Sequence, residues 1–333
     1  GARYVVFTTK HHDGFTLWPS EVKNPHRPDD LQHASRDLVG ELTEAVRANG
    51  MRMGLYYSGG LDWSFNETPI TTMQEVRGTI IHTEEYARYA DAHWRELIDR
   101  YQPAILWNDI GYPKQGDLEH IFADYYNRFP DGVVNNRFET GLPDSPRRHH
   151  DFVTPEYKRM DDITDYKWET CRGLGFSFGY NQVEGPEHTI GEAELIHLLV
   201  DIVSKNGNLL LNVGPKADGS IPEIQAERLR ALGAWLATNG EAIFGSRPWQ
   251  RAEGKTADGI DVRFTSKGDV TYAVLFAKPT GREVTIENLA VAPSATVSLL
   301  GGGKLDYRLE GGNLTVTLPA DLPEAHAYTL RIG

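Results

Sequence analysis

Residues 4–13 read YVVFTTKHHD. An apolar, β-branched run of this kind favours a strand, and it ends abruptly on a lysine, two histidines and an aspartate. The same pattern recurs down the chain, with short apolar runs stopping at LYYS (55–58), LWND (106–109), NNRF (135–138), TPEY (154–157), FGYN (178–181) and LLNVG (210–214). Seven strands are expected, at 4–9, 53–58, 104–109, 133–137, 152–156, 177–181 and 209–213. Between them lie amphipathic helical patterns: Leu195, Leu198, Leu199 and Ile202 recur on one helical face, as do Leu229, Leu232 and Leu236. Asn49-Gly50, Asn206-Gly207 and Asn239-Gly240 each close such a pattern, where glycine takes a left-handed cap at little cost. Strands alternating with helices specify β/α units around a parallel sheet. In a β/α barrel, polar residues at the C-terminal strand ends build the active site.

After Pro248 the texture changes to short alternating strands and Gly-rich turns, as in Asn313-Leu314-Thr315-Val316-Thr317-Leu318. The expected organisation is a catalytic barrel over 1–247 and an antiparallel β-sandwich over 248–333. Composition narrows the partners. With 34 basic and 47 acidic residues the formal net charge is −13, which disfavours nucleic acid and anionic membrane surfaces. The single cysteine, Cys171, allows neither an intrachain disulfide nor a thiolate metal cluster. No apolar stretch approaches the roughly 20 residues needed to span a bilayer. The chain begins without methionine, inside a strand-like run, so an upstream portion is expected to exist. Cytoplasmic, periplasmic and secreted locations are therefore not distinguished.

Two carboxylates stand at strand ends. Asp109 follows Ile105, Leu106 and Trp107 and reads either as an ion-pair or capping group, or as a nucleophile or general base in a dry pocket. Glu156 follows Phe152 and Val153 and has Tyr157 beside it, neighbours that would raise its pKa by desolvation and suit it to general acid duty. Paired carboxylates among aromatic residues point to glycoside hydrolysis, one of several carboxylate chemistries that barrels carry. His11, His12 and Asp13 invite a metal reading. However, adjacent residues on an extended strand face opposite ways, and His149, His150 and Asp151 share that difficulty. No metal or other cofactor is expected. Histidines bonding sugar hydroxyls fit better, with Lys10 or Asp13 orienting them. Arg137, also at a strand end, is open to a hydroxyl or a salt bridge.

The stretches YVVFTTKHHDGFTLWPS, RMGLYYSGGLDW, ILWNDIGYP, YKWETCRGLGFSFGYN and GNLLLNVGPKADGSIP resemble those of the α-L-fucosidases of glycoside hydrolase family 29, in the bacterial type of that family. The resemblance runs from the first residues into the sandwich. It implies an exo-acting, retaining hydrolysis of terminal α-L-fucosyl linkages through a covalent fucosyl-enzyme. Asp109 would be the nucleophile and Glu156 of TPEY the acid/base, with Glu169 of KWET, read as lying in a turn, ranked behind it. His11, His12, Tyr56, Trp107 and Arg137 would line the fucose pocket, with Phe178 facing the sugar's methyl group. The substrates implied are fucosylated oligosaccharides or glycoconjugates. Measured against that family, the first barrel strand is missing, so the expectation is a (β/α)8-like TIM barrel lacking its first strand. A homo-oligomer is expected to cover the opening. Two other readings stay open: a catalytically impaired fucose-binding barrel and a metal-dependent hydrolase.

Overall fold

The computed structural model describes residues 1–28, 31–141 and 147–333. The chain divides into two compact units, residues 2–154 and residues 155–333, the latter joined by Gly1.

In the first unit, four parallel strands lie in chain order: β1 (Tyr4–Lys10), β2 (Arg52–Ser58), β3 (Ile105–Asp109) and β4 (Val133–Val134). Helix α1 (Leu38–Ala48) returns the chain from β1 to β2, and α2 (Met73–Gly78) and α3 (Glu84–Tyr101) return it from β2 to β3. Helix α4 (Leu118–Arg128) leads on to β4. Each long helix has a local reason to start. The Asp37 carboxylate accepts from the Gly40 amide at α1, and the Thr83 hydroxyl accepts from the Tyr86 amide at α3, where Glu84 and Glu85 also favour the helix N-terminus. Leu55 and Tyr57 of β2 and Leu106 of β3 are fully buried with Trp94 and Leu97 of α3 in one core. The intervening Tyr56 and Trp107 are thereby turned to the opposite face, because strand side chains alternate.

The second unit contains a parallel pair, β5 (Trp168–Gly173) and β6 (Gly207–Asn212), with helices α5 (Glu192–Ser204) and α6 (Glu223–Asn239). The rest is antiparallel. A six-stranded sheet has the order β12-β11-β15-β9-β8-β7, built from Gly303–Lys304, Val297–Leu299, Tyr328–Ile332, Val270–Leu275, Asp261–Lys267 and Arg247–Lys255. A three-stranded sheet has the order β10-β14-β13, from Glu283–Ile286, Asn313–Thr317 and Asp306–Glu310. Val262, Phe264 and Leu275 of one sheet share a core with Val284, Ile286, Leu314 and Val316 of the other, which makes a β-sandwich. A buried charge cluster ties α5 to it. Asp201 accepts from Arg263 Nε at 2.6 Å and pairs with Lys205 at 3.1 Å, and Lys205 reaches Glu253 at 2.7 Å.

Three of the expected strands differ. The run 133–137 pairs only over Val133–Val134, and Asn136–Phe138 is a turn of 3₁₀ helix. The run 152–156 makes single bridges, Phe152 to Asn135 and Glu156 to Cys171, because Pro155 between them has no N–H to continue a ladder. The run 177–181 is a loop in which side chains capture the backbone: Glu184 accepts from the Ser177 amide and Asn181 from the Val183 amide. The strand lies instead at Trp168–Gly173, and Glu169 is a buried strand residue, not part of a turn. Its charged residues, Glu169 and Arg172, masked the pattern.

The expected glycine caps also divide. Gly50 is left-handed with φ 71°, but at 206–207 the asparagine carries the positive φ of 74°. Gly207 serves close approach instead, since a Cβ there would lie 2.5 Å from the Trp168 ring. Gly240 is right-handed, at φ −60°.

Removing the shared, buried anion of the cluster, Asp201→Ala, should leave Lys205 and Arg263 only the half-exposed Glu253 as counter-charge and cost up to about 3–5 kcal/mol. Urea denaturation checks this; a loss below about 1 kcal/mol, the range of an exposed pair, would show that the cluster is not a brace.

Candidate active site

Register brings the candidate residues of the first unit together. Thr8 pairs with Tyr56, Tyr56 with Trp107, and Ser58 with Asp109. The β1–β2 register shifts between Thr8 and Lys10, an irregularity of the bulge type that re-aims side chains. Lys10 thereby turns inward. Its ammonium is fully buried, 3.1 Å from Asp62 Oδ2 and 4.6 Å from the centre of the Tyr57 ring. Burial pushes its pKa down, against the pull of Asp62. The lysine therefore does not orient the histidines directly; it anchors the strand end to the loop after β2.

Beyond Lys10 the chain leaves the strand, so the alternation expected of His11 and His12 lapses. Their rings stack 3.9 Å apart, and His11 also stacks on Tyr56, which stacks on Trp107 at 5.4 Å. The His12 Nδ1 lies 2.7 Å from the Ser58 hydroxyl, whose proton is donated to the Leu61 carbonyl at 3.0 Å. Ser58 must then accept, which fixes the proton of neutral His12 on Nδ1 and leaves Nε2 as an acceptor. Burial, helped by His11 and Lys10 and opposed by Asp109, lowers the His12 pKa to about 4. Burial also lowers that of His11. Among the described residues no three His, Cys, Asp or Glu side chains converge as a metal ion would require.

Asp109 is the most constrained group. Its Oδ1 accepts from Arg137 Nη1 and from the Ile110 amide, each at 2.9 Å, and its Oδ2 accepts from the Tyr56 hydroxyl at 2.8 Å. Arg137 is itself held by the Thr154 hydroxyl and carbonyl, both at 2.8 Å, and its guanidinium lies 4.7 Å from the centre of the Trp107 ring. Ile110, whose amide makes this bond, adopts φ 60°. For a β-branched residue that conformation costs about 1–3 kcal/mol, a strain typical of functional sites. Gly60 makes room for it: a Cβ there would sit 2.0 Å from the Ile110 carbonyl oxygen.

In the second unit, Glu156 is exposed and bridges Cys171 of β5. Tyr157, expected to desolvate it, has φ 52° and turns its ring to Phe178 (5.6 Å between centres) and to Arg172 (5.3 Å). Its hydroxyl donates to the Phe176 carbonyl at 3.0 Å and accepts from the Gly173 amide at 3.1 Å. Phe178 is exposed on the loop after β5.

Comparison with known proteins decides the family. The sequence profile described as "Alpha-L-fucosidase" matches residues 1–241. An alpha-L-fucosidase of Branchiostoma floridae is 34% identical over 355 residues, spanning 100% of this chain and 75% of the relative. The tissue alpha-L-fucosidase of Homo sapiens is 33% identical over 348 residues, spanning 100% and 72%. The chain belongs to the alpha-L-fucosidase family. Among solved structures, that of Thermotoga maritima alpha-fucosidase in complex with a mechanism based inhibitor is 45% identical and superposes with a TM-score of 0.90 over 99% of this chain and 75% of that one. The likeness gives this alpha-L-fucosidase family member the fold class expected from its strands and helices, a (β/α)8-type catalytic fold followed by a β-sandwich.

Of the eight candidate residues, His11, His12, Tyr56, Trp107, Asp109 and Arg137 form one bonded and stacked group in the first unit. Glu156 and Phe178 belong to the second. Sequence reasoning missed Ser58, which sets the His12 tautomer, Thr154, which holds Arg137, and the strained Ile110. Ser58 and Thr154 were visible as hydroxyls inside the strand-end motifs; Ile110 carries no sequence signal. The burial of His12 predicts that its ring stays neutral down to about pH 4. Nitrogen-15 chemical shifts through an acid titration should show Nδ1 protonated throughout and a midpoint near that value; an ordinary histidine midpoint of about 6.5 would contradict it.

Proposed function

We propose that this chain is an exo-acting, retaining α-L-fucosidase that releases terminal α-L-fucose from fucosylated glycans. The observation that carries the reading is the three-donor grip on Asp109. A carboxylate oxygen has two acceptor sites. Oδ1 uses both, for Arg137 and Ile110, whereas Oδ2 uses one, for Tyr56, so Oδ2 is the oxygen with an electron pair to offer.

The reaction follows in two steps. Asp109 Oδ2 bonds to the anomeric carbon as the glycosidic C–O bond breaks, and Glu156 gives its proton to the departing oxygen. Water then attacks the same carbon, Glu156 takes back a proton, and the Asp109–carbon bond breaks to release fucose with its configuration retained. The donors on Asp109 hold it in one orientation, so little reorganisation is needed when it becomes the nucleophile and again when it leaves. The Nε2 acceptor of His12, with the His11 ring beside it, suits a sugar hydroxyl donor. Trp107 and Phe178 offer apolar faces for the sugar carbons and its methyl group.

In this reading residues 1–247 form the catalytic domain and the sandwich over 248–333 braces it, which the Asp201 cluster supports. We assign self-association to the edge of β1, the outer strand of the first unit's parallel sheet, where Val5 to Phe7 are only half-buried. Sedimentation should show an oligomer, and a monomer at micromolar concentration would contradict that assignment.

Two variants test the chemistry. Asp109→Gly should lower hydrolysis of an aryl α-L-fucoside on the order of 10⁴-fold, and azide should restore turnover as the β-fucosyl azide; undiminished hydrolysis would remove Asp109 from the role. Glu156→Gln should slow release from an oligosaccharide about a hundredfold or more, yet spare fucosylation by α-L-fucosyl fluoride, whose leaving group needs no proton. Equal losses on both substrates would contradict the acid/base assignment.

A further inference from the structure

The second unit contains a cavity of about 530 Å³ that the proposed chemistry does not use. One wall is the segment after Glu156 together with β5 and carries Lys158, Arg159 and Arg172. Among the described residues none of these three cations has a carboxylate partner, although the chain as a whole carries 13 excess negative charges. The opposite wall is formed by α5 and the sandwich. There His197 lies flat on Phe276, with ring centres 4.3 Å apart and planes 1° from parallel, and the His197 Nε2 is occupied by the His326 carbonyl at 2.8 Å. Arg263 on that side is already bound to Asp201 and Glu253. On these elements the lining carboxylates are Glu194 and Asp261, the latter paired with Lys255 at 3.4 Å, so the three cations and the carboxylates are carried by different elements.

We propose that this cavity binds an anionic saccharide, its sulfate or carboxylate group held by Lys158, Arg159 and Arg172 and its pyranose face laid on the exposed ring of Tyr157. Guanidinium and ammonium groups without a carboxylate partner on one wall match an oxyanion by charge-assisted hydrogen bonds. The Glu194 carboxylate on α5 disfavours the anion at that part of the lining and so helps to set its orientation. Tyr157 is 43% exposed and locked by two hydrogen bonds and by Arg172, which makes it a rigid plate for the C–H face of a sugar. Its position one residue after Glu156 places the site beside the proposed acid/base along the chain, so acidic glycans become a substrate class that this enzyme holds at a second point. The choice of a saccharide among anions rests on the fucosidase reading; the charge argument does not.

Calorimetric titration of the whole chain with four probes tests the proposal: a 4-sulfated chondroitin disaccharide, its unsulfated counterpart carrying only the carboxylate, neutral N-acetyllactosamine, and inorganic sulfate. Both acidic disaccharides should bind at least about tenfold more tightly than the neutral one and weaken as salt is raised. A further gain with sulfation assigns the cations to sulfate, and equal binding assigns them to the carboxylate; either supports the site. The double variant Lys158→Ala/Arg159→Ala alters two exposed side chains. It should weaken binding of the acidic disaccharides about tenfold or more while leaving aryl α-L-fucoside hydrolysis unchanged. The proposal is overturned if the neutral disaccharide binds as well as the acidic ones, if inorganic sulfate alone binds as tightly as the sulfated sugar, or if the double variant binds like the parent. Failure of the parent chain to hydrolyse the aryl fucoside would instead count against the fucosidase reading, independently of these titrations.

Discussion

Asp109 gathers the first unit's site around one carboxylate. Tyr56 reaches it from β2, Arg137 from the turn after β4, and the Ile110 amide from its own strand's exit. Each donor depends on a separate feature of the fold. Parallel register sets Ser58 against Asp109 and Tyr56 against Trp107. Gly60 after β2 lets the Ile110 carbonyl approach, and Thr154 fixes the guanidinium. An anion so placed is matched in charge and hydrogen bonding before any sugar arrives, which is the condition under which a carboxylate acts as a positioned nucleophile. The strain at Ile110 is sustained because neighbouring contacts over-determine it.

The buried Lys10–Asp62 pair has a different task. An ion pair with no access to water adds little net stability, but losing one partner is costly, so its value lies in specifying one arrangement. Here that arrangement is the turn of β1 that sends Lys10 inward and stacks His11 and His12 beside Tyr56. The lysine next to the histidines in sequence thus acts through geometry, by holding the strand end to the loop after β2.

Much of this was legible in the sequence because the strands announce themselves through apolar runs and the chemistry collects at their ends. Asp109, Arg137 and the histidine pair were all found that way, and Tyr56 through the family resemblance. What escaped depends on pairing partners and hydrogen bonds that the strand pattern does not record. The strand Trp168–Gly173 contains Glu169 and Arg172, and only pairing with Gly207–Asn212 reveals it. The run 177–181 alternates like a strand, yet backbone amides that donate to the side chains of Glu184 and Asn181 hold it as a loop. The histidines were expected on opposite faces, and a register shift one residue earlier made them stack. Local pattern carries propensity; it does not carry register shifts or competition for backbone amides.

The central claim is that Asp109 forms the covalent bond to fucose. Incubation with 2-deoxy-2-fluoro-α-L-fucosyl fluoride, which slows breakdown of a fucosyl-enzyme more than its formation, followed by peptide mass mapping, tests this most directly. The account predicts one fluorofucosyl group per chain, attached to Asp109 in the peptide containing Ile105–Asp109 and released when azide is added. A label on Glu156, or turnover of the reagent without any labelled chain, would contradict it.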